Sequence, residues 1–271
     1  MTSITVLDYI REPPEKAPAL QVPFFFGSQP IVSPTAPRWG MTLCAAGSLR
    51  FRWNEQNEKR VLLSELFPGK EIAPIELIHS KIVVEAECAA DTKNIQADGI
   101  ISKNRNIVPT VTVADCVPIF LFDTVSGAFG IFHSGWKGTG IVAEGVKLMG
   151  ERFGTKPKNV AAAIGPHIGS CCYAVDEERA DFFKAHFGEK SVVMRAEKPM
   201  LSLTEANLFV LKNAGIQDEN IVVSTDCTCC TKNASGKPIF GSFRREAAFL
   251  PSSFSNDEKS RAMTVQAAFI G

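Results

Sequence analysis

The chain has 271 residues, 45% of them hydrophobic and 21% charged, with 29 Lys and Arg balanced by 29 Asp and Glu. A soluble globular protein with a large buried core is expected of such a chain. Zero formal net charge and a pI near 6.9 supply no electrostatic reason to bind nucleic acid or an anionic membrane, which leaves small molecules as the expected partners. The N-terminus, MTSITVLDYIREPPEK, has acidic residues early and no apolar core of signal-peptide length. No later run reaches the roughly 18 apolar residues of a membrane span, so a cytoplasmic location is expected. In that compartment the eight cysteines are expected as reduced thiols or metal ligands rather than disulfides.

Residues 1–40 are punctuated by Pro13, Pro14, Pro18, Pro23, Pro30, Pro34 and Pro37, which predicts loops and an edge strand near Phe24 to Phe26. Residues 55–67 place Val61, Leu62, Leu63, Leu66 and Phe67 at helical spacing before Pro68-Gly69, a surface helix of about three turns. Ile75 to Glu85 reads as a strand that carries His79, and a single strand histidine is more often structural than functional. Asp98 belongs to a DG turn signal and reads as solvated, a contact with the site being the alternative.

Val111 to Phe122 is an almost unbroken apolar run interrupted by Asp115 and Cys116, as in a buried strand carrying two polar groups for a purpose. A turn at Ser126 and Gly127 and a second apolar run, Ala128 to Phe132, complete a hairpin that sets His133 beside Cys116. The glycine-rich HSGWKGTG then opens a helix over Ile141 to Phe153, and the amides at such a start favour anions, phosphate among them. Asn159 to Ile164 reads as a strand, 177–187 and Leu201 to Ala214 as helices, and Ile221 to Ser224 as a strand.

Two cysteine clusters follow the hairpin. The loop GPHIGSCCYAVD, residues 165–176, holds vicinal Cys171 and Cys172 near His167. Neighbours on an extended chain point to opposite faces and rarely chelate one ion, so a second metal site is not expected there. The run DCTCC, Asp226 to Cys230, lacks the two further ligands that structural zinc requires and reads as buried or semi-reactive thiols. The segment 238–250 sets Arg244 and Arg245 at the end of an apolar strand, where arginine suits bidentate binding of phosphate. Met263 to Ile270 is a closing strand, internal to a sheet. With no repeat or low-complexity linker, a single domain over 1–271 is expected.

His79, Cys116 and His133, spaced 37 and then 17 positions apart, form the candidate catalytic set. Three N/S ligands with a vacant fourth position are the pattern of a catalytic zinc. The same Cys116 and His133 equally suit a nucleophile pair, in which His133 lowers the thiol pKa as in a cysteine hydrolase or amidase. A multicopper laccase needs more histidine than the four present, His79, His133, His167 and His186.

The motifs LIHS (77–80), ADC (114–116), HSGWKG (133–138), GPHIGSCCYAVD (165–176), CTCC (227–230) and GSFRR (241–245) resemble, in order and spacing over residues 75–265, those of the polyphenol oxidoreductase laccase-domain (YfiH-like) family. Its members are regarded as purine nucleoside phosphorylases. The resemblance implies an α/β (α+β) fold with mixed sheets in a layered α/β/β/α sandwich, and zinc on His79, Cys116 and His133, copper being the less expected metal. It also implies phosphorolysis of adenosine, inosine, guanosine and methylthioadenosine, with some deamination of adenosine. Lys137, Arg245 and Asp115 are the expected contacts to substrate or phosphate.

The chain departs from the family pattern in places. Leu77-Ile78-His79-Ser80 stands for Gln-Val-His-Gly, Lys137 stands for an arginine, and Ala262 interrupts a Gly-Arg-Met pattern as Ser260, Arg261 and Met263. The N-terminal segment 1–40 is divergent. The metal ligands are unaffected by these changes, so they bear on substrate preference.

Overall fold

Along Val117–Asp123, alternate residues serve two different interiors. Val117, Ile119 and Leu121 face a cluster built with helices, while Phe120 and Phe122 face a cluster built with a second sheet. The strand Val160–Ile164 divides in the same way, with Val160, Ala162 and Ile164 on the helix side and Ala161 and Ala163 between the sheets. A strand buried on both faces reads as a continuous apolar run, which is why alternation was absent from the sequence here. In the computed structural model, which describes residues 3–7 and 17–271, these strands lie inside a seven-stranded mixed sheet. Its order is Thr5–Leu7, Ile221–Ser224, Val160–Ile164, Val117–Asp123, Phe129–Ser134, Gly99–Ser102 and Val83–Glu85.

The facing five-stranded sheet runs Ala19–Pro23, Arg38–Thr42, Gln266–Ile270, Ile107–Val113 and Glu71–Pro74. Trp39 and Phe120 stack across the sheet interface at 5.1 Å. Helices Ile141–Phe153, Glu177–Phe187 and Leu203–Asn213 cover the outer face of the larger sheet, and Val61–Leu66 packs through Leu63 on the outer face of the smaller one with Val108 and Phe269. The layering is therefore α/β/β/α, a mixed α/β fold as expected. The closing strand Gln266–Ile270 is internal, between Arg38–Thr42 and Ile107–Val113.

Several sequence expectations change. Pro13 and Pro14 lie outside the described residues. Residues 1–40 contribute more than an edge: Ala19–Pro23 and Arg38–Thr42 are two strands of the five-stranded sheet, and Thr5–Leu7 pairs in parallel with Ile221–Ser224. The helix expected over 55–67 is a 3-10 turn at Glu58–Arg60 followed by Val61–Leu66, because Asn57 caps the chain late by accepting from the Lys59 amide. Val111 to Phe122 is two strands in two sheets, Ile107–Val113 and Val117–Asp123, joined by a bend. Residues 243–246 form a short helix, with Ser242 accepting from the Arg245 amide, where an apolar strand was expected.

Candidate metal centre

The bend between the two sheets ends at Cys116. Asp115 within it takes a left-handed φ of 87°, a conformation open to Asp at a modest cost. Tertiary contacts hold it there: its carbonyl accepts from the Ile168 amide at 3.0 Å, Oδ1 from Thr228 Oγ1 at 2.7 Å and Oδ2 from the Arg244 amide at 2.7 Å. On the neighbouring strand His133 is paired with Pro118, so the hairpin register sets the histidine beside the cysteine.

His79 is not on a strand. It sits with φ 60° in the connection between Glu71–Pro74 and Val83–Glu85, and Asp98 holds it there. Asp98 is fully buried, not the solvated turn residue its DG context implied. Its carboxylate accepts from the amides of His79 (3.0 Å) and Ser80 (2.6 Å) and from Ser80 Oγ (2.7 Å), and Oδ1 lies 2.8 Å from His133 Nδ1. One acid thus fixes the backbone of one histidine and the ring of the other, and leaves His133 Nε2 for Cys116 or a cation.

The charges follow from these contacts. Burial raises the Asp98 carboxyl, but its bonds to His133 and Ser80 outweigh this and hold it below the usual range. Burial likewise opposes the charged forms of Cys116 and His133, yet each stabilises the other. The thiol is lowered to about 6 by His133 and His79, and His133 is raised to about 10 by the thiolate and Asp98.

The ligand atoms of His79, Cys116 and His133 lie within 4.8 Å of one another, and the two imidazoles meet edge to face at 4.9 Å. Gly135 keeps the space above them open. A Cβ there would stand 3.0 Å from Cys116 Sγ and 3.5 Å from His79 Cδ2. Two imidazoles and a thiolate, one imidazole braced by a buried carboxylate, are a donor set that fits a zinc ion with an open position. His167 and His186 are engaged elsewhere, His167 with Gly165 O and Thr204 Oγ1 and His186 with Phe182 O, so the chain lacks the histidines for a trinuclear copper cluster.

The trio opens into a cavity of about 570 Å³. Its lining includes five cationic side chains, Arg50, Arg52, Lys137, Arg179 and Arg244, and one aspartate, Asp115. Arg50 is neutralised by Glu55 and Asp257, and both Asp115 oxygens are already bonded. The Arg179 guanidinium lies 4.3 Å and Lys137 Nζ 5.3 Å from the centroid of the half-exposed Trp136 ring. Of the expected phosphate contacts, Lys137 and Asp115 line the cavity and Arg245 does not. Arg245 Nη1 is spent on Thr228 O (2.8 Å) and Cys229 O (2.9 Å), whereas the neighbouring Arg244 lines the cavity, its Nη2 donating to Ala174 O at 3.1 Å. Among the described residues the helix-start amides beyond Lys137 are also absent from the lining. Sequence reasoning missed Arg179 and Arg52, which no local signal marks, and held a contact of Asp98 with the site only as the lesser alternative to a solvated turn, its burial being foreshadowed by the apolar Ile100 and Ile101 nearby.

The family model described as multi-copper polyphenol oxidoreductase laccase matches residues 54–249. The chain is 35% identical over 154 residues to purine nucleoside phosphorylase YlmD of Bacillus subtilis (strain 168), covering 55% of this chain and 54% of that protein. It is 34% identical over 163 residues to adenosine deaminase RL5 of an unknown prokaryotic organism, covering 55% of this chain and 62% of that protein. The chain thus spans a little over half the length of these curated relatives. Among solved structures, YlmD from Geobacillus stearothermophilus superposes with a TM-score of 0.72 at 25% identity, covering 88% of this chain and 93% of that one.

Proposed function

The chain belongs to the multi-copper polyphenol oxidoreductase laccase family, and from that premise we propose that it is a zinc-dependent purine nucleoside phosphorylase. Its proposed substrates are adenosine, inosine, guanosine and methylthioadenosine, with adenosine deamination as a secondary activity. The names of the relatives, purine nucleoside phosphorylase and adenosine deaminase, support this. The observation that carries it is a His79, Cys116 and His133 trio at the floor of a cavity walled by cations.

A bound zinc would supply Lewis acidity and an activated water beside the substrate. The chain's residues do the rest. Lys137, Arg179 and Arg244 bind phosphate and stabilise its charge as a phosphate oxygen attacks C1′ and the bond from C1′ to the purine nitrogen breaks. The base leaves with that electron pair and takes up the proton that the attacking phosphate gives up, giving the free purine and a sugar 1-phosphate. Phe51, Ile78, Tyr173 and Phe243 offer the apolar walls for a purine and shield the site from water. Asp98 keeps the His133 ring oriented.

A second reading rests on one observation: Asp98, His133 and Cys116 are aligned as acid, base and nucleophile, with the thiol already depressed. His79 separates the two, being a ligand in one and a spectator in the other. Product analysis with the four nucleosides, with and without phosphate, is the test. Base release should require phosphate, and His79→Ala should abolish it along with metal binding by the His79, Cys116 and His133 trio. Arg244→Met should raise the KM for phosphate about tenfold or more, the loss of one charge-assisted contact. Base release indifferent to phosphate, or full activity in His79→Ala, would refute the phosphorylase.

A further inference from the structure

Outside the cavity lining, four thiols converge. We propose that Cys171, Cys172, Cys227 and Cys230 form a second metal site, a closed structural zinc centre that fastens two loops of the cavity together. Their sulfurs all lie within 4.8 Å of one another, with Cys171 Sγ and Cys230 Sγ 3.6 Å apart, and all four are free cysteines. Tetrahedral zinc with Zn–S bonds of about 2.3 Å places its sulfurs about 3.8 Å apart, so a small contraction of this cluster completes the cage.

The two objections raised by the sequence are answered by the fold. Cys171 and Cys172 are on a turn, not a strand: the amides of Cys172 and Tyr173 both return to Gly169 O, at 3.0 and 3.1 Å, and neighbouring side chains converge instead of alternating. The two ligands that DCTCC lacked are this pair, 55 to 59 positions earlier in the chain and brought alongside by a parallel bridge between His167 and Cys227. Cys227 and Cys230 themselves lie within one turn, closed by the Thr231 amide on Cys227 O at 2.9 Å, at the two-residue spacing common to zinc-binding cysteine pairs.

Two further features are those of a thiolate site. The Gly169 amide donates to Cys227 Sγ at 3.2 Å, the type of contact that offsets negative charge on a ligand sulfur. A side chain at Gly169 would sit 3.1 Å from Cys171 Sγ and 3.4 Å from Cys227 Cβ, so the backbone passes over the sulfurs as closely as glycine allows. His167 is not a ligand, since both ring nitrogens are bonded elsewhere. Four soft sulfurs and no vacant position select zinc over hard cations and mark the site as structural. Binding exchanges the thiol protons for the metal, and they pass to solvent from a cluster that includes the exposed Cys171 and Cys230.

The bound ion would brace the first centre at a distance. The loop that holds Cys171 and Cys172 also supplies Ile168 and Tyr173 to the cavity, and the turn that holds Cys227 and Cys230 presents Thr228 to Asp115. The experiment uses the full chain carrying His79→Ala, which disables the first centre and keeps the two sites distinguishable. Expressed with zinc, it should retain about one zinc per chain, and X-ray absorption should show a shell of four sulfurs near 2.3 Å. Adding Cys227→Ser and Cys230→Ser should reduce retained zinc at least tenfold. Cobalt(II) titrated into the metal-free His79→Ala protein should give intense thiolate charge-transfer absorption with tetrahedral ligand-field bands. A His79→Ala protein whose four thiols all alkylate with zinc present, or whose mass shows them paired as disulfides, would overturn the proposal. A sulfur count of two or fewer around the ion would do the same.

Discussion

Asp98 is a buried acid whose carboxylate is turned to the centre, to His79, Ser80 and His133. Replacing it by asparagine keeps the shape but removes the charge that accepts from His79, Ser80 and His133 together. Asp98→Asn is expected to weaken zinc binding about ten- to a hundredfold, the usual effect of losing a carboxylate behind a histidine ligand, and competition with a chelator would measure it. The thiol of Cys116 offers a pH readout. Its pKa, lowered to about 6, keeps the thiolate above that pH and protonates it below. In metal-free protein its alkylation by iodoacetamide should therefore fall as pH drops through about 6, where an ordinary thiol falls near 8.5. Zinc should slow the reaction throughout, as peptide mass spectrometry can follow. A midpoint near 8.5 would show that His133 does not support the thiolate.

At the scale of elements, the bend from one sheet to the other depends on a turn more than a hundred residues away. Thr228 is fully buried and gives its hydroxyl to Asp115, so Thr228→Val leaves a buried carboxylate oxygen short of a partner. A loss of about 1–3 kcal/mol is expected, visible as a lower Tm. Zinc affinity should fall with it, since Cys116 follows the bend directly. An unchanged Tm would mean that Asp115 holds its left-handed conformation without this bond. The hairpin behaves differently. Cys116 and His133 were legible together because a strand, a turn at Gly127 and a second strand form locally, and antiparallel pairing then dictates who faces whom. The helices Ile141–Phe153 and Glu177–Phe187 were legible for the same reason, being closed within one segment by periodicity and, for the second, by the Asp176 cap.

Over the whole molecule, the two sheets are held face to face by an aromatic interior, and the centre stands where the chain crosses between them. Phe120 is fully buried there against Trp39. Phe120→Ala should cost about 3–5 kcal/mol in urea unfolding, by lost transfer energy and the cavity left behind. A cost below about 1 kcal/mol would mean that the sheets collapse onto the gap. By itself the sequence determined the hairpin, the three helices over the larger sheet, the internal closing strand and the family, because periodicity, turn residues and motif order are local properties. Tertiary structure alone decided that Val111 to Phe122 is split between sheets, that Asp98 is inside and His79 in a turn, and that Arg244 faces the cavity while Arg245 holds carbonyls. It alone assembled four cysteines from two distant loops. Each of these depends on groups distant in sequence that meet only after the sheets have packed, and burial, charge and ligand sets are properties of that meeting.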